Sequence, residues 1–233
     1  VIHAAALKHV HKGESDPLEF IKTNIYGAQN IIESALENNV KKVISLSTDK
    51  ACAPANLYGS TKLCADKLFI SANNIKGNKD ISFSVVRYGN VFGSRGSVLP
   101  IFLNQQKNKL LTVTDKRMTR FHISLEEAVE AIVWAANNLN GGEILVPKLK
   151  SYNIMDLCKA ISPKSKIKFL GIQPGEKLHE DLITNHDAIN TIELKKYFLV
   201  LKDKSLNKNK FKNSKNVNEN FSYNSGDNNE FLS

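Results

Sequence analysis

The sequence predicts an α/β fold built on a doubly wound parallel sheet, with the first part of that sheet missing and a smaller C-terminal cap added. Three observations carry this. Short runs that read as buried strands alternate with helical apolar stripes, which implies parallel pairing through right-handed crossovers. A polar, chemically loaded turn follows one of those strands at its carboxyl end. From about residue 94 the alternation loosens, as expected for a cap over the carboxyl ends of the strands, where open α/β sheets place ligands.

The elements follow in order. Val1-Ile2-His3-Ala4-Ala5-Ala6 reads as the end of a buried strand. No initiator Met precedes it, so the chain is expected to be a fragment. Asp16-Pro17-Leu18-Glu19 has the pattern of a helix start, with Asp16 as cap, Pro17 in the first turn and Glu19 closing a capping box. Leu18, Ile21, Ile25, Ala28, Ile32 and Ala35 continue it as one stripe. Val43–Leu46 is a buried strand, Tyr58–Ala72 a helix and Phe83–Val86 the next strand. Ser124 and Glu127 form a second capping-box pattern, with Leu125, Val129, Ile132, Val133 and Ala136 as the apolar face and Gly141-Gly142 as the stop. Glu143–Val146 is a strand, Ile154–Ala160 a short helix and Ile167–Leu170 another strand. Residues 201–220, rich in Lys and Asn, read as a mobile polar segment. The expected organisation is 1–93, 94–200 with some segments returning to the sheet, and a polar, partly mobile tail over 201–233.

Composition narrows the function classes. The 233 residues carry a net charge of +9, yet the lysines are scattered, without aromatic interleaving or a nucleic-acid module. The charge is read as solvated surface plus attraction for phosphorylated ligands, with no nucleic-acid partner. No run reaches the roughly 20 apolar residues of a membrane span, so no membrane partner is expected. Cys52, Cys64 and Cys158 have neither disulfide nor zinc spacing, which fits a reducing cytoplasm. His3, His9 and His122 lack ligand spacing and read as packing or rim residues; no metal is expected.

The chemistry concentrates in S-T-D-K-A-C-A-P-A-N-L-Y-G-S-T-K, residues 47–62. Tyr58 and Lys62, four apart on a helix, share one face. A neighbouring ammonium and the positive ring of an oxidised nicotinamide both favour the phenolate, so the pair can take a proton from a hydroxyl while hydride leaves its carbon. Tyr-x-x-x-Lys alone is weak, because a half-buried tyrosine near a surface lysine is common. Asp49 and Lys50 add an acid and a base at one place, each tunable by burial. The structural alternative is a polar turn in which Asp49 is only a cap.

The whole string resembles the extended short-chain dehydrogenase/reductases, and within them the inverting UDP-N-acetylglucosamine 4,6-dehydratases of pseudaminic acid biosynthesis, which serves glycosylated surface structures such as flagella. Matching stretches are H-A-A-A-L-K-H-V at the start, K-T-N-I-Y-G-A-Q-N at 22–30 and S-V-V-R-Y-G-N-V-F-G-S-R-G-S-V-L-P at 84–100. T-D-K-R-M-T-R-F at 114–121, P-G-E-K-L-H-E at 174–180 and the closing F-S-Y-N-S-G-D-N-N-E-F-L-S complete the likeness. The resemblance implies a Rossmann-type sheet, bound NADP, UDP-N-acetylglucosamine as substrate, a hydro-lyase reaction and a homo-oligomer. It implies that Tyr58 with Lys62 oxidises carbon 4, that Lys50 takes the carbon 5 proton, and that Asp49 protonates the leaving carbon 6 hydroxyl. Hydride then returns with inversion at carbon 5, and Thr48 orients the substrate hydroxyl. It also implies that Ala4, Lys8, Thr23, Asn24 and Val91, with Tyr58 and Lys62, line the cofactor. Lys8, Asn90, Arg95, Leu99, Arg120, Gln173 and Glu176 are implied to serve the UDP-sugar. Longer relatives often carry Met where this chain has Tyr58, which aligns it with the short type.

Two of these residues admit a second reading. Asn24 could instead tie neighbouring strands together, and Arg120 could form a solvated pair with Arg117. Two positions depart from the pattern: Gln173 stands where Arg is usual, and His122 where an aromatic is common. The Gly-rich turn that cradles a cofactor pyrophosphate is absent from these residues, and roughly 80 residues carrying it are expected upstream in the gene product. Two alternatives stand beside the dehydratase: a UDP-sugar 4-epimerase, which needs Tyr58 and Lys62 but not Asp49-Lys50, and a catalytically inert cofactor-binding fragment.

Overall fold

Four parallel strands and three antiparallel ones form the main sheet of the computed structural model, which describes residues 1–203, 211 and 213–232. Ile2–His3 (β1) is followed by Val10–Ser15 (α1), Pro17–Ile21 (α2), a π-helical turn over Lys22–Tyr26 and Gly27–Glu37 (α3). Lys42–Thr48 (β2) pairs in parallel with β1, and a 3-10 turn over Asp49–Ala51 leads to Leu57–Ile75 (α4). Ser82–Tyr88 (β3) lies parallel to β2 along its whole length, from Lys42 opposite Ser82 to Thr48 opposite Tyr88. The chain then leaves the sheet through Asn90–Val91 (β4), Val98–Gln105 (α5), Leu110–Val113 (β5) and Thr119–Ile123 (β6). Leu125–Asn138 (α6) brings it back to Ile144–Pro147 (β7), parallel to β3. Lys150–Asn153 (β8), Ile154–Ile161 (α7), Lys166–Phe169 (β9), Asp181–Ile183 (β10) and Asn185–Ala188 (α8) make a second excursion. Thr191–Glu193 (β11), Tyr197–Val200 (β12), Lys215–Asn216 (β13) and Tyr223–Asn224 (β14) complete the chain. The order is β1-β2-β3-β7-β12-β11-β13, with β12, β11 and β13 each antiparallel to the strand before it.

The alternation of side chains across the strands explains the apolar runs. Val43, Phe83 and Val85 face α3 and α4, meeting Ala28, Ile32, Ala65 and Phe69. Ile44, Val86 and Leu145 face α6, meeting Ala131, Ile132 and Ala135. Strands buried on both faces have no polar side to expose, so their sequence loses its period of two. A third cluster, with Phe102, Leu111, Val113, Tyr152 and Leu157, joins α5, β5, β8 and α7 away from the main sheet.

Several local expectations are corrected. Within β1, Ile2 is exposed and His3 is buried, and the strand pairs with β2. Asp16 makes no side-chain cap; its backbone N–H closes α1 on the Lys12 carbonyl at 2.8 Å, which holds it out of N-cap geometry. Glu19 pairs with Lys22 instead. The Ser124–Glu127 capping box does form, with both reciprocal bonds. However, the buried stripe of α6 is Ala128, Ala131, Ile132 and Ala135, while Leu125, Val129 and Val133 face outward. Of the expected mobile segment over 201–220, residues 204–210 and 212 lie outside the described residues, while Leu201 is buried and Lys215–Asn216 pairs with β11. Beyond it the chain packs firmly: Tyr223 is buried and its hydroxyl donates to the Leu149 carbonyl at 2.8 Å. No helix among the described residues is long and apolar enough to cross a membrane.

Candidate active site

Strand β2 delivers the reactive turn. Where β2 ends, Thr48 is still extended and its hydroxyl accepts from the Lys50 N–H at 3.3 Å, turning the chain into the 3-10 segment. Asn56 then caps α4 by accepting from the Gly59 N–H at 2.8 Å, and its own amide donates to the Gly175 carbonyl at 2.8 Å. That second bond ties the 173–176 loop to the start of the helix. At Gly59 a Cβ would overlap the Lys50 carbonyl oxygen. The absence of a side chain there lets α4 lie directly on the reactive turn.

These elements wall a cleft of about 570 Å³. Thr48, Lys50, Tyr58, Lys62, Asn90, Val91, Arg95, Arg120 and Glu176 line it, as do Ala4 and Lys8 from the loop after β1. Asp49 lies beneath the wall, fully buried, and accepts from the Thr48 hydroxyl at 2.9 Å and from Lys50 Nζ at 3.1 Å. Lys50 Nζ also donates to Asn90 Oδ1 at 3.1 Å. Four anticipated residues stand apart from the cleft lining. Thr23 and Asn24 lie on the π-helical turn and Leu99 on α5. Gln173 is exposed, with its backbone N–H donating to the Glu176 carboxylate at 3.0 Å. Asn24 is buried and bonded to its own chain: it receives the Leu7 N–H at 2.8 Å and donates to the Leu7 carbonyl and Thr61 hydroxyl, each at 3.0 Å. Asn24 therefore ties the loop after β1 to α4, rather than one strand to another.

Charge is distributed unevenly. Burial alone would push the Lys50 ammonium towards neutrality, but Asp49 and then Glu180 outweigh it and hold Lys50 above the ordinary lysine value. Tyr58 is pushed up to about 12, mainly by burial, while Lys50 and the Thr48 hydrogen bond pull in the opposite direction. Lys62 sits below its ordinary value because it is buried, with Asp66 resisting, and its Nζ donates to the Leu46 carbonyl at 2.8 Å. Lys50 is thus a cation that pulls on the Tyr58 phenol from the reactive turn, beside the Lys62 that the spacing places on the same helix face. Arg120 is also turned inward. Its Nη1 donates to the carbonyls of Thr119 and Leu178, at 2.6 and 3.0 Å, and its Nη2 to that of Lys177 at 3.1 Å. His122 packs edge-on against Phe92, with ring centroids 4.8 Å apart.

Two buried groups escaped the sequence reading. Glu180 lies 3.4 Å from Lys50 Nζ and 3.7 Å from Arg120 Nε. It closes the P-G-E-K-L-H-E stretch, where a carboxylate far along the chain gave no sign of its neighbour. Behind the cleft, Asp66 Oδ2 accepts from the Ser47 hydroxyl at 2.7 Å and from Arg87 at 3.2 Å. The i, i+4 step from Lys62 to Asp66 was the available signal, since it places both on one face of α4. No group of His, Cys, Asp and Glu among the described residues could hold a metal ion.

Comparison with known proteins places this geometry in context. Residues 1–202 match the family described as polysaccharide biosynthesis protein. A Campylobacter jejuni protein (strain 81-176) named UDP-N-acetylglucosamine 4,6-dehydratase (inverting) is 55% identical over 202 residues, covering 86% of this chain and 60% of that protein. A Rickettsia canadensis protein named UDP-glucose 4-epimerase is 41% identical over 208 residues, covering 87% and 61%. Among solved structures, Pen from Bacillus thuringiensis superposes with a TM-score of 0.92 at 37% identity, over 100% of this chain and 72% of that one. DesIV, a dTDP-glucose 4,6-dehydratase from Streptomyces venezuelae, shares the fold with a TM-score of 0.68. The chain thus spans about three-fifths of the length of the curated relatives it matches, 60% and 61% for the two named.

Proposed function

We propose, from the premise that this chain belongs to the polysaccharide biosynthesis protein family, that it is the catalytic portion of an inverting UDP-N-acetylglucosamine 4,6-dehydratase, a hydro-lyase using NADP. The observation that carries the reading is the Asp49–Lys50 pair, with Oδ1 and Nζ 3.1 Å apart, Lys50 on the wall that also bears Tyr58 and Lys62 and Asp49 buried directly beneath it. A 4-epimerase needs a group to move hydride at carbon 4, but has no use for a paired acid and base beside it.

The residues present fit the nicotinamide end of a dinucleotide. The small side chains Ala4 and Ala6 leave the carboxyl end of the β1 edge open to the cleft, beside Tyr58 and Lys62. Ala4, Lys8, Val91 and Lys62 would hold the group there, with Thr23 and Asn24 supporting it from the π-helical turn. Bound in that place, the nicotinamide supplies reversible hydride acceptance.

Tyr58 takes the proton of the carbon 4 hydroxyl, which Thr48 orients. For that the phenol must fall from its raised value, and positive charge nearby lowers it. The ketone so formed acidifies the carbon 5 proton, which Lys50 removes. Asp49 gives its proton to the departing carbon 6 hydroxyl, so water leaves. Asp49 and Glu180 hold Lys50 as the ammonium, so Lys50 must first give up a proton to serve as the base, and Asp49 must carry one to serve as the acid. Reprotonation of carbon 5 from the opposite face, with the hydride taken from carbon 4 returned to carbon 6, would invert carbon 5 and leave a 6-deoxy group. Asn90, Arg95, Leu99, Arg120, Gln173 and Glu176 are assigned to the UDP-sugar, Arg120 once its guanidinium turns from the Lys177 and Leu178 carbonyls to a phosphate.

Conversion of UDP-N-acetylglucosamine by the full-length enzyme tests this. A 4-keto-6-deoxy product with solvent hydrogen at carbon 5 is expected. Lys50→Ala should abolish water loss, and Tyr58→Phe should suppress the initial oxidation. Near wild-type dehydration by Lys50→Ala would remove Lys50 as the base, and a 4-epimer as sole product would favour the epimerase.

A further inference from the structure

We propose that Glu180 is a positioning residue for Lys50, fixing the amine at the cleft wall and setting the pH at which it becomes a base. The proposal rests on the reading of Lys50 as the carbon 5 base.

Geometry carries it. Glu180 is 3% exposed, and its Oε1 is nearer to Lys50 Nζ, at 3.4 Å, than to Arg120 Nε, at 3.7 Å. Lys50 therefore sits between two buried carboxylates, with Asp49 at 3.1 Å on one side and Glu180 on the other, and Asn90 as a neutral third acceptor. A carboxylate serving only Arg120 would have little to do, because the Nη groups of that guanidinium are already engaged by backbone carbonyls. Glu180 Oε2 is buried without a hydrogen-bond partner, a costly state for a carboxylate oxygen unless its charge acts on something nearby. The residue is also held in place from outside. Its N–H donates to the Ser225 hydroxyl at 2.9 Å, and the Ser225 N–H returns to its carbonyl at 2.8 Å. The residue after β14 thereby clamps the backbone that aims Glu180 at Lys50.

The two carboxylates have different reach into the reaction. Asp49 shares Oδ1 with the Thr48 hydroxyl, the group set to orient substrate, which suits an acid that gives up its proton to the leaving hydroxyl. Glu180 has no such link and acts on Lys50 alone among the reacting groups. When the amine accepts the carbon 5 proton, the new ammonium forms 3.4 Å from a fixed negative charge. Nothing is oxidised or reduced at Glu180, and the proton moves only from carbon 5 to nitrogen.

The groups facing Lys50 are Asp49 on its own turn, Glu180 before β10, Arg120 on β6, Tyr58 on α4 and Tyr152 on β8. Arg120 opposes the carboxylates, and burial holds both phenols above the ordinary tyrosine value. Removing the Glu180 charge lowers the pH at which Lys50 loses its proton, since an opposite charge within about 4–6 Å shifts a pKa by about 1–3 units. The rising limb of dehydration against pH should move to lower pH by at least about one unit in Glu180→Gln.

The test is the pH profile of kcat for dehydration of UDP-N-acetylglucosamine by the full-length holoenzyme, wild type against Glu180→Gln. The expected result is a limb displaced to lower pH, a plateau lowered about tenfold by the weaker, less fixed base, and an unchanged KM. Glu180→Ala removes the same charge without an amide to misplace, so either variant that folds reads the same limb. Glu180→Asp keeps the charge and should bring the limb back towards wild type. A limb unmoved in a folded charge-removing variant overturns the proposal, as does an equal loss of kcat and substrate binding with no displacement. Absence of the 4-keto-6-deoxy product with wild-type enzyme would instead sink the dehydratase reading.

Discussion

The Lys50 carbonyl oxygen occupies the space that a Cβ on Gly59 would need, so the first turn of α4 rests directly on the reactive turn. Gly59 is otherwise a poor choice inside a helix, costing roughly 0.5–1 kcal/mol relative to Ala. Here the usual sign reverses. Gly59→Ala should destabilise the protein by about 1–3 kcal/mol, the range for overpacking a close contact. Urea denaturation checks this, and a gain in midpoint would mean the two elements can separate without cost.

Asn24 braces the loop after β1 against α4, bonding both backbone groups of Leu7 and the Thr61 hydroxyl. The π-helical turn over Lys22–Tyr26 widens the helix there and brings the amide inward. Asn24→Ala should cost about 2–3 kcal/mol, because buried partners are left unsatisfied. It should also speed amide exchange at Leu7 more than at Leu46, a core strand residue. Equal protection at Leu7 in wild type and variant would show that the amide does not hold the loop.

What the sequence disclosed depended on locality. Ser47 to Lys62 form one contiguous strand–turn–helix, so their meeting at the cleft could be read from order and spacing alone. Glu180 and Arg120 reach Lys50 from β6 and the approach to β10, and only the folded cap brings them there. The α6 stripe was misread for a different reason. Leu125, Val129 and Val133 are as apolar as the residues beside them, and periodicity cannot say which of two apolar faces meets the sheet. Small Ala128, Ala131 and Ala135 face inward because the helix packs close to β2 and β3.

The Asp66–Arg87 pair is buried behind the cleft, where Asp66 also accepts from the Ser47 hydroxyl and Arg87 also donates to the Leu182 carbonyl and lies 3.8 Å from Asp187. Breaking such a pair leaves a charge stranded, so Asp66→Ala should cost about 3–5 kcal/mol. The double variant Asp66→Leu with Arg87→Met should lose much less than the sum of the two single changes, because neither charge then remains alone. Additive losses in a double-mutant cycle would show that the two residues act independently.

Tyr58 gives a pH dependence with a definite sign. Its phenol is raised from the ordinary 10.0 to about 12 by burial, so between those values the unfolded chain releases a proton that the folded protein keeps. The contribution is fully present below pH 10 and is lost as pH rises through 12. Over about two units this amounts to roughly 2–3 kcal/mol. Stability measured across that window should fall more steeply in wild type than in Tyr58→Phe, with other titrating groups cancelling in the comparison. Lys50→Met should steepen the effect or carry it to higher pH, since Lys50 is the charge that pulls the phenol down. Parallel curves for wild type and Tyr58→Phe would mean that the phenol titrates as in water and that the cleft wall admits solvent to it.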